Sequence, residues 1–445
     1  MSLVRGVPGI DFGVEEVRGS FPDKLRIEPL SRPVDANLRV PGSKSITNRV
    51  LVVAALANGT STINNPLFSE DSYWLMDALV RLGVPVRAER EAGAITVEGQ
   101  RGIIQRSGVE VFVGNAGTAA RFLPPVLALG RGAYRVDGAK RMRERPVEAL
   151  VEAMRSLGAG AEYAEQEGRL PLVVRGGGIE GGTAGVRGTE SSQFLSGLLM
   201  AAPYAQNTVT LRVEGGLVSR PYIAITTWVM RCFGVEVGEG EEEFVVPQGI
   251  YAGRSYTVEP DASGASYFFA AAALTGGRVK IEGLGVGSSQ GDLLFVEVLR
   301  RMGCKVEVAE GFVEVRGREE GLRGVEADMN EISDTMMTLA AIAPFASTST
   351  IITNVAHTRK QETDRISAVV AELKRLGVRV EERDDGLKIT PGRVKSGVLV
   401  RTYGDHRMAM AFSLVGLMVP NTHIEGPSCV AKTLPEYFEL LSSLK

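Results

Sequence analysis

Cysteine, histidine and tryptophan are scarce in this chain, at three, three and two residues of 445. Cys232, Cys304 and Cys429 lie far apart and are odd in number, which excludes a disulfide framework and a short-spaced thiolate metal site. Reduced thiols in a cytoplasmic protein are expected. An excess of either charge is also lacking: 50 basic residues face 53 acidic ones, for a net charge of -3, so no overall field draws the chain to nucleic acid or an anionic membrane. Any basic site has to be local. No apolar run approaches the roughly 18 residues of a membrane span, and residues 1–23 have no signal-peptide core. They read as a loosely attached extension. Glycine, by contrast, is abundant: 53 residues make roughly 12% of the chain against the usual ~7%, and call for many tight turns. The length admits two to four domains.

Six segments share one design, a cluster of Ser, Asn, Asp or Gly followed by a mostly apolar helix. Anchored at Ser45, Asn115, Ser191, Ser263, Asp334 and Asp405, they recur at intervals of 70, 76, 72, 71 and 71 residues. Such regularity marks an internal repeat. A second set of helices is amphipathic and ends each time in glycine, at Gly83, Gly158, Gly234, Gly303 and Gly377, followed by an alternating strand. A sixth such helix, LPEYFELLSSLK, runs to the C-terminus with no strand behind it. The N-terminal stretch LRIEPL, residues 25–30, is the free candidate to complete that last unit. The pattern predicts an α/β protein of two pseudo-threefold domains with three units each, residues 43–258 in one and 1–42 with 259–445 in the other. A period of about 70 residues is too long for the usual stacked solenoid repeat.

Chemistry concentrates at the polar starts of the buried helices. In PGSKSITNR, residues 41–49, a turn at Gly42 and Ser43, with Ser43 or Ser45 as cap, sets Lys44 and Arg49 near a helix N-terminus, whose orphan N–H groups attract anions. Read alone, the stretch fits a phosphate or carboxylate seat as well as it fits a capped core helix with two solvated cations. Asn115, Arg121, Gln193, Asp334 and Arg407 lie at equivalent ends. Two connecting segments add Arg141, Arg143 and Arg145, then Arg359, Lys360, Glu362 and Arg365. A lone basic segment is usually a solvated face. Recurrence at repeat-equivalent places in an acidic chain points instead to guanidinium forks gripping carboxylates and phosphates.

PGSKSITNR, NAGTAAR, DGAKRMRERP, SSQFLS, LVSRPYI, SDTMM, ETDR, GDHRMAM and CVAKTLPEYF stand in the order found in the 5-enolpyruvylshikimate-3-phosphate synthase family, which the chain resembles from about residue 25 onward. The resemblance implies two domains of three βαββαβ units, an inside-out α/β barrel arrangement hinged around an interdomain cleft. It also implies transfer of the enolpyruvyl group of phosphoenolpyruvate to the 5-hydroxyl of shikimate 3-phosphate, with no metal or organic cofactor. By the same resemblance Lys44, Ser45, Arg49, Ser191, Ser192, Gln193, Ser219, Tyr222, Asp334, His357 and Gln361 contact shikimate 3-phosphate. Lys44, Asn115, Gly117, Arg141, Gln193, Arg365, Arg407 and Lys432 hold phosphoenolpyruvate. Asp334 takes the hydroxyl proton, Glu362 protonates the methylene carbon, and Lys44 lies where both substrates meet. Asp334 is also a good helix N-cap, and His406 has an orienting role only. The chain departs from the family at His357, where Asn is common, at Gln361, where Lys precedes the Glu, and at Phe122, where Pro or Leu is frequent. Gly117 leaves room for glyphosate-like mimics of phosphoenolpyruvate.

Related readings fit less well. A transferase acting on a UDP-amino sugar relies on a Cys that is missing between Asn115 and Pro146, and an RNA 3'-phosphate cyclase needs a nucleophilic His and a nucleic-acid surface. A non-catalytic anion-binding paralogue has no use for Lys44, Asp334 and Glu362 together. The expected partners are small molecules, not nucleic acid or membrane, and a monomer is expected by resemblance.

Overall fold

Gly83, Gly158, Gly234, Gly303 and Gly377 all have positive φ, between 78° and 106°, so each supplies the left-handed residue that ends an amphipathic helix. The computed structural model describes residues 7–444. Those residues form two units, one built on Lys44–Val258 with the segment up to Val17, the other from Arg18–Ser43 and residues 259–444.

The first unit is organised around the helices Lys44–Leu56, Gly117–Ala128 and Ser192–Ala201, which contact one another. Every residue of Gly117–Ala128 is buried, in a helix that is apolar but for Thr118 and Arg121. The helices come close because small residues meet: a Cβ on Gly197 would lie 2.3 Å from the carbonyl oxygen of Arg121. Three four-stranded sheets belong to the same unit. In each, one strand is parallel to the next and two more follow antiparallel, as in Glu110–Phe112, Ala133–Asp137, Leu172–Arg175 and Gly160–Tyr163.

The second unit repeats the plan with the helices Ala262–Thr275, Met336–Ile342 and His406–Met418, again in mutual contact. Asp261 caps the first of them, accepting from Gly264 N at 2.8 Å, and Gly276 ends it with φ 70°. Two sheets have four strands. The third has three, Leu399–Val400, Thr422–Glu425 and Lys24–Ile27. The N-terminal strand pairs antiparallel with Thr422–Glu425, placing Ile27 opposite Thr422, so it closes the last unit as its sequence predicts. The strands next to the two crossings each pair within their own unit. Asp35–Leu38 joins Arg278–Glu282 of the second unit, and Ser255–Thr257 joins Asn58–Asn64 of the first.

The leader departs from expectation. Residues 1–6 lie outside the described residues, but residues 7–17 group with the first unit rather than the second and are well attached. Ile10 bridges Ala88, Asp11 accepts from the backbone N of Arg90 at 2.9 Å, and Phe12 sets its ring against Phe68 and Tyr73 at 5.5 and 5.8 Å. Edge-to-face aromatic packing holds a segment too short to carry a periodic signal.

Candidate active site

In the first unit, Lys44 opens its helix and lies with Nζ 3.7 Å from Oδ2 of Asp71, a buried carboxylate. Asp71 sits in the first turn of Glu70–Arg81, a helix fixed by the Ser69–Ser72 capping box. Arg49 is buried outright. Its Nε donates to Thr226 Oγ1 at 2.7 Å, Nη1 to the Ser45 carbonyl at 2.8 Å, and Nη2 to Ser196 Oγ and the Tyr222 carbonyl at 3.1 Å each. Its guanidinium also lies 5.2 Å from the centre of the Phe122 ring, which gives that departure from the family a packing role. Burial lowers the Arg49 pKa to about 10, the nearby Tyr222 opposing the shift, so the group stays charged at neutral pH. Four of its five N–H donors thus serve the fold.

Ser191 caps the helix Ser192–Ala201, its Oγ accepting from Gln193 N at 3.2 Å. A Cβ on Gly117 would meet Arg145 Nη1 at 3.0 Å and Gln193 Oε1 at 3.2 Å, so Gly117, Arg145 and Gln193 share one place. Asn115 lies two residues before Gly117, at the start of that helix. Arg141 pairs instead with Glu144 at 2.9 Å, and Arg143 with Asp137 and Glu165. Ser219 is buried with φ 53°, in the turn that leads to Pro221–Cys232 and its Tyr222.

The second unit gathers Asp334, Gln361, Glu362, Arg365, Asp405, Arg407 and Lys432 around one buried guanidinium. Arg365 Nε donates to Asp405 Oδ2 at 2.8 Å, Nη1 to Asp334 Oδ1 at 3.0 Å and to Gln361 Oε1, and Nη2 to Glu362 Oε2 at 3.0 Å and Asp405 Oδ1 at 3.5 Å. All five N–H groups are engaged. Burial works against that charge, but Asp405, Glu362 and Asp334 outweigh it and raise the Arg365 pKa further. Arg407 Nη2 donates to Asp334 Oδ2 at 2.6 Å, and Lys432 Nζ lies 3.7 Å from Glu362 Oε1. Asp334 does not act as a helix cap: its carboxylate is spanned by two guanidinium groups, while the cap beside it is Asp405, which accepts from Arg407 N at 2.9 Å. Gln361 faces Arg365 through its amide oxygen, and Lys360 is exposed. His357 is buried, with Nε2 2.9 Å from Ser333 Oγ, and burial lowers its pKa to about 4. It is neutral at physiological pH. His406 is buried beside Asp405, Nδ1 to Oδ1 3.4 Å.

An array of three cations and three carboxylates can accept a multiply charged anion when that anion displaces a carboxylate from its cation. The model of EPSP synthase, 3-phosphoshikimate 1-carboxyvinyltransferase, matches residues 30–441. The chain belongs to the EPSP synthase family. It is 49% identical over 418 residues to the 3-phosphoshikimate 1-carboxyvinyltransferase of Trichormus variabilis, covering 94% of this chain and 98% of that one. To that of Vibrio atlanticus it is 43% identical over 430 residues, covering 95% and 99%. In three dimensions it is similar to the EPSP synthase of Acinetobacter baumannii, with a TM-score of 0.79 at 25% identity, covering 95% of this chain and 98% of that one. The mixed α/β architecture of small sheets around buried helices is that of the family.

The site residues assigned by resemblance leave out three buried residues of these two clusters. Asp71 faces Lys44, Arg145 rather than Arg141 lies beside Gly117, and Asp405 anchors Arg365. Asp405 was visible as a repeat anchor and Arg145 as part of a basic run; Asp71 gave no sequence signal beyond a capped helix start. Among the described residues no group of three His, Cys, Asp or Glu side chains converges as metal ligands, and no helix is long and apolar enough to cross a membrane.

Proposed function

We propose that this chain transfers the carboxyvinyl group of phosphoenolpyruvate to the 5-hydroxyl of shikimate 3-phosphate and releases phosphate, a step of aromatic amino acid biosynthesis. The observation that carries the reading is the buried array in which Arg365 and Arg407 span Asp334 while Arg365 and Lys432 flank Glu362, on a chain of this family. In the reaction, the hydroxyl oxygen bonds to the enol carbon as a proton is added to the neighbouring methylene, giving a tetrahedral adduct. Loss of a methyl proton then re-forms the double bond as the C–O bond to phosphate breaks. Addition needs a base at the alcohol and an acid at the methylene, roles proposed for Asp334 and Glu362. The cations stabilise charge on the departing phosphate.

Both carboxylates rest tied to cations. Phosphoenolpyruvate brings its own phosphate and carboxylate, and by taking up Arg365, Arg407 and Lys432 it releases Glu362 and Asp334 from positive neighbours, which makes both easier to protonate. Substrate binding thereby readies the acid and the base. In this reading Ser45, Ser191, Ser192, Ser219, Tyr222 and the remaining N–H of Arg49 address shikimate 3-phosphate, with Lys44, Gln193, His357 and Gln361. Asn115, Gly117 and Arg141 line the phosphoenolpyruvate side. We read the enzyme as a cytoplasmic monomer that needs no cofactor.

The test is phosphate release from phosphoenolpyruvate with shikimate 3-phosphate or UDP-N-acetylglucosamine as acceptor. Release with shikimate 3-phosphate alone is expected. Release only with the amino sugar, or with neither acceptor, overturns the reading.

A further inference from the structure

The segment that carries Asp405 and Arg407 turns sharply before its helix begins. The Thr402 carbonyl accepts from Asp405 N at 2.9 Å, and the two residues between, Tyr403 and Gly404, have φ of 56° and 69°. A two-residue turn with both central residues left-handed favours Asn, Asp and Gly. Gly404 fits and Tyr403 does not: with a Cβ and a bulky side chain it is strained there, and such strain persists only where the surroundings impose it. Ring packing is not what imposes it, since Tyr403 is 43% exposed. Its hydroxyl is the anchor, donating to Glu372 Oε1 at 2.8 Å.

Glu372 is wholly buried on the helix Arg365–Arg375. Its other oxygen accepts from the backbone N of Arg401 at 3.1 Å, with Arg375 Nε at 3.2 Å, so one carboxylate holds the entry of the turn by its main chain and by the Tyr403 side chain. Burial, the bond to Glu372 and that residue's charge push the Tyr403 phenol up to about 12, keeping it a donor at neutral pH. The exit of the turn is gripped from the same helix, by Arg365 on Asp405. One helix therefore holds both ends of the turn.

We propose that Glu372 and Tyr403 are positioning residues, a latch that fixes the Thr402–Asp405 turn and through it the placement of Asp405 and Arg407. The latch deepens the proposed reaction, because Arg407 is one of the cations assigned to phosphoenolpyruvate. A merely structural loop contact predicts lower stability with unchanged kinetics. Positioning predicts a selective loss for one substrate.

The test uses the full chain with Tyr403→Phe, which removes only the hydroxyl, and Tyr403→Asn, whose side chain tolerates the left-handed backbone without the latch. For Tyr403→Phe, hydrogen exchange at the Asp405 and Arg407 amides should quicken by roughly tenfold. Its KM for phosphoenolpyruvate should rise by about fivefold or more, with that for shikimate 3-phosphate within about twofold. Tyr403→Asn should bring the phosphoenolpyruvate KM back toward wild type. Unchanged amide exchange overturns the latch, and so does a lowered melting temperature with both KM values unmoved. If the wild-type chain releases no phosphate with shikimate 3-phosphate, the functional reading fails, while exchange at Asp405 and Arg407 still decides the latch.

Discussion

Arg365 donates from Nη2 to Glu362 Oε2 at 3.0 Å, so the carboxyl proposed to deliver a proton rests as one half of a buried ion pair. Glu362→Gln keeps an oxygen for Arg365 but has no acidic proton to give. Its turnover number is expected to fall by about 10²- to 10⁴-fold, the usual worth of general acid catalysis, with KM values changing less than about tenfold. Steady-state phosphate release measures both. An unchanged turnover number removes Glu362 from the acid role.

His357 makes acid stability a second check. Burial lowers its pKa from 6.5 to about 4, Arg365 acting in the same direction and Asp334 against it. As pH falls below 6.5 the unfolded chain takes up a proton that the folded chain refuses until about pH 4. Stability therefore declines through that window, by about 3 kcal/mol at its lower end. His357→Asn keeps a polar group for Ser333 without the titration. In urea unfolding at pH 7 and pH 4.5 the variant should lose less stability than wild type, and equal losses would contradict a neutral buried imidazole.

Much of this architecture was legible in the sequence because it is periodic. The six polar-to-apolar helix starts, the five helix-ending glycines and the missing strand of the last unit each follow from spacing, and Lys24–Ile27 pairs where the count left a gap. What stayed hidden depends on contacts distant in sequence. Nothing near Asp71 announces Lys44, and nothing near Glu372 announces Tyr403. Likewise DGAKRMRERP offers three arginines without saying which one is buried; Arg141 and Arg143 stay partly exposed and pair with Glu144 and Asp137, while Arg145 is buried beside Gly117. The turn at Tyr403 breaks local preference, and so reads from sequence as an ordinary loop.

Gly117→Ala is the third check. The added methyl would lie 3.0 Å from Arg145 Nη1 and 3.2 Å from Gln193 Oε1, both far ends of flexible side chains. Those ends move before the backbone does, so stability should change by no more than about 1 kcal/mol. The cost falls on the site: KM for phosphoenolpyruvate should rise by roughly threefold or more, and inhibition by glyphosate-like mimics should weaken. Equal inhibition of both proteins would count against this geometry.

Closure of the second unit by the N-terminal strand can be tested through Ile27 and Gly416. Ile27 is buried, and a Cβ on Gly416, in the helix His406–Met418, would lie 2.4 Å from Ile27 Cβ and 2.7 Å from its Cγ2. The Cβ is fixed to the strand backbone and no rotamer relieves the clash, so Gly416→Ala must push Lys24–Ile27 away from Thr422–Glu425. A loss of about 1–3 kcal/mol is expected, as for other overpacked cores. Ile27→Gly alone should cost about 2 kcal/mol or more, from lost burial and added chain freedom. In the double variant the new methyl enters the space Ile27 has left, so the combined loss should fall short of the sum by about 1 kcal/mol or more. Losses that add within about 0.5 kcal/mol would place the strand elsewhere, and deletion of residues 24–36 without loss of stability would do the same.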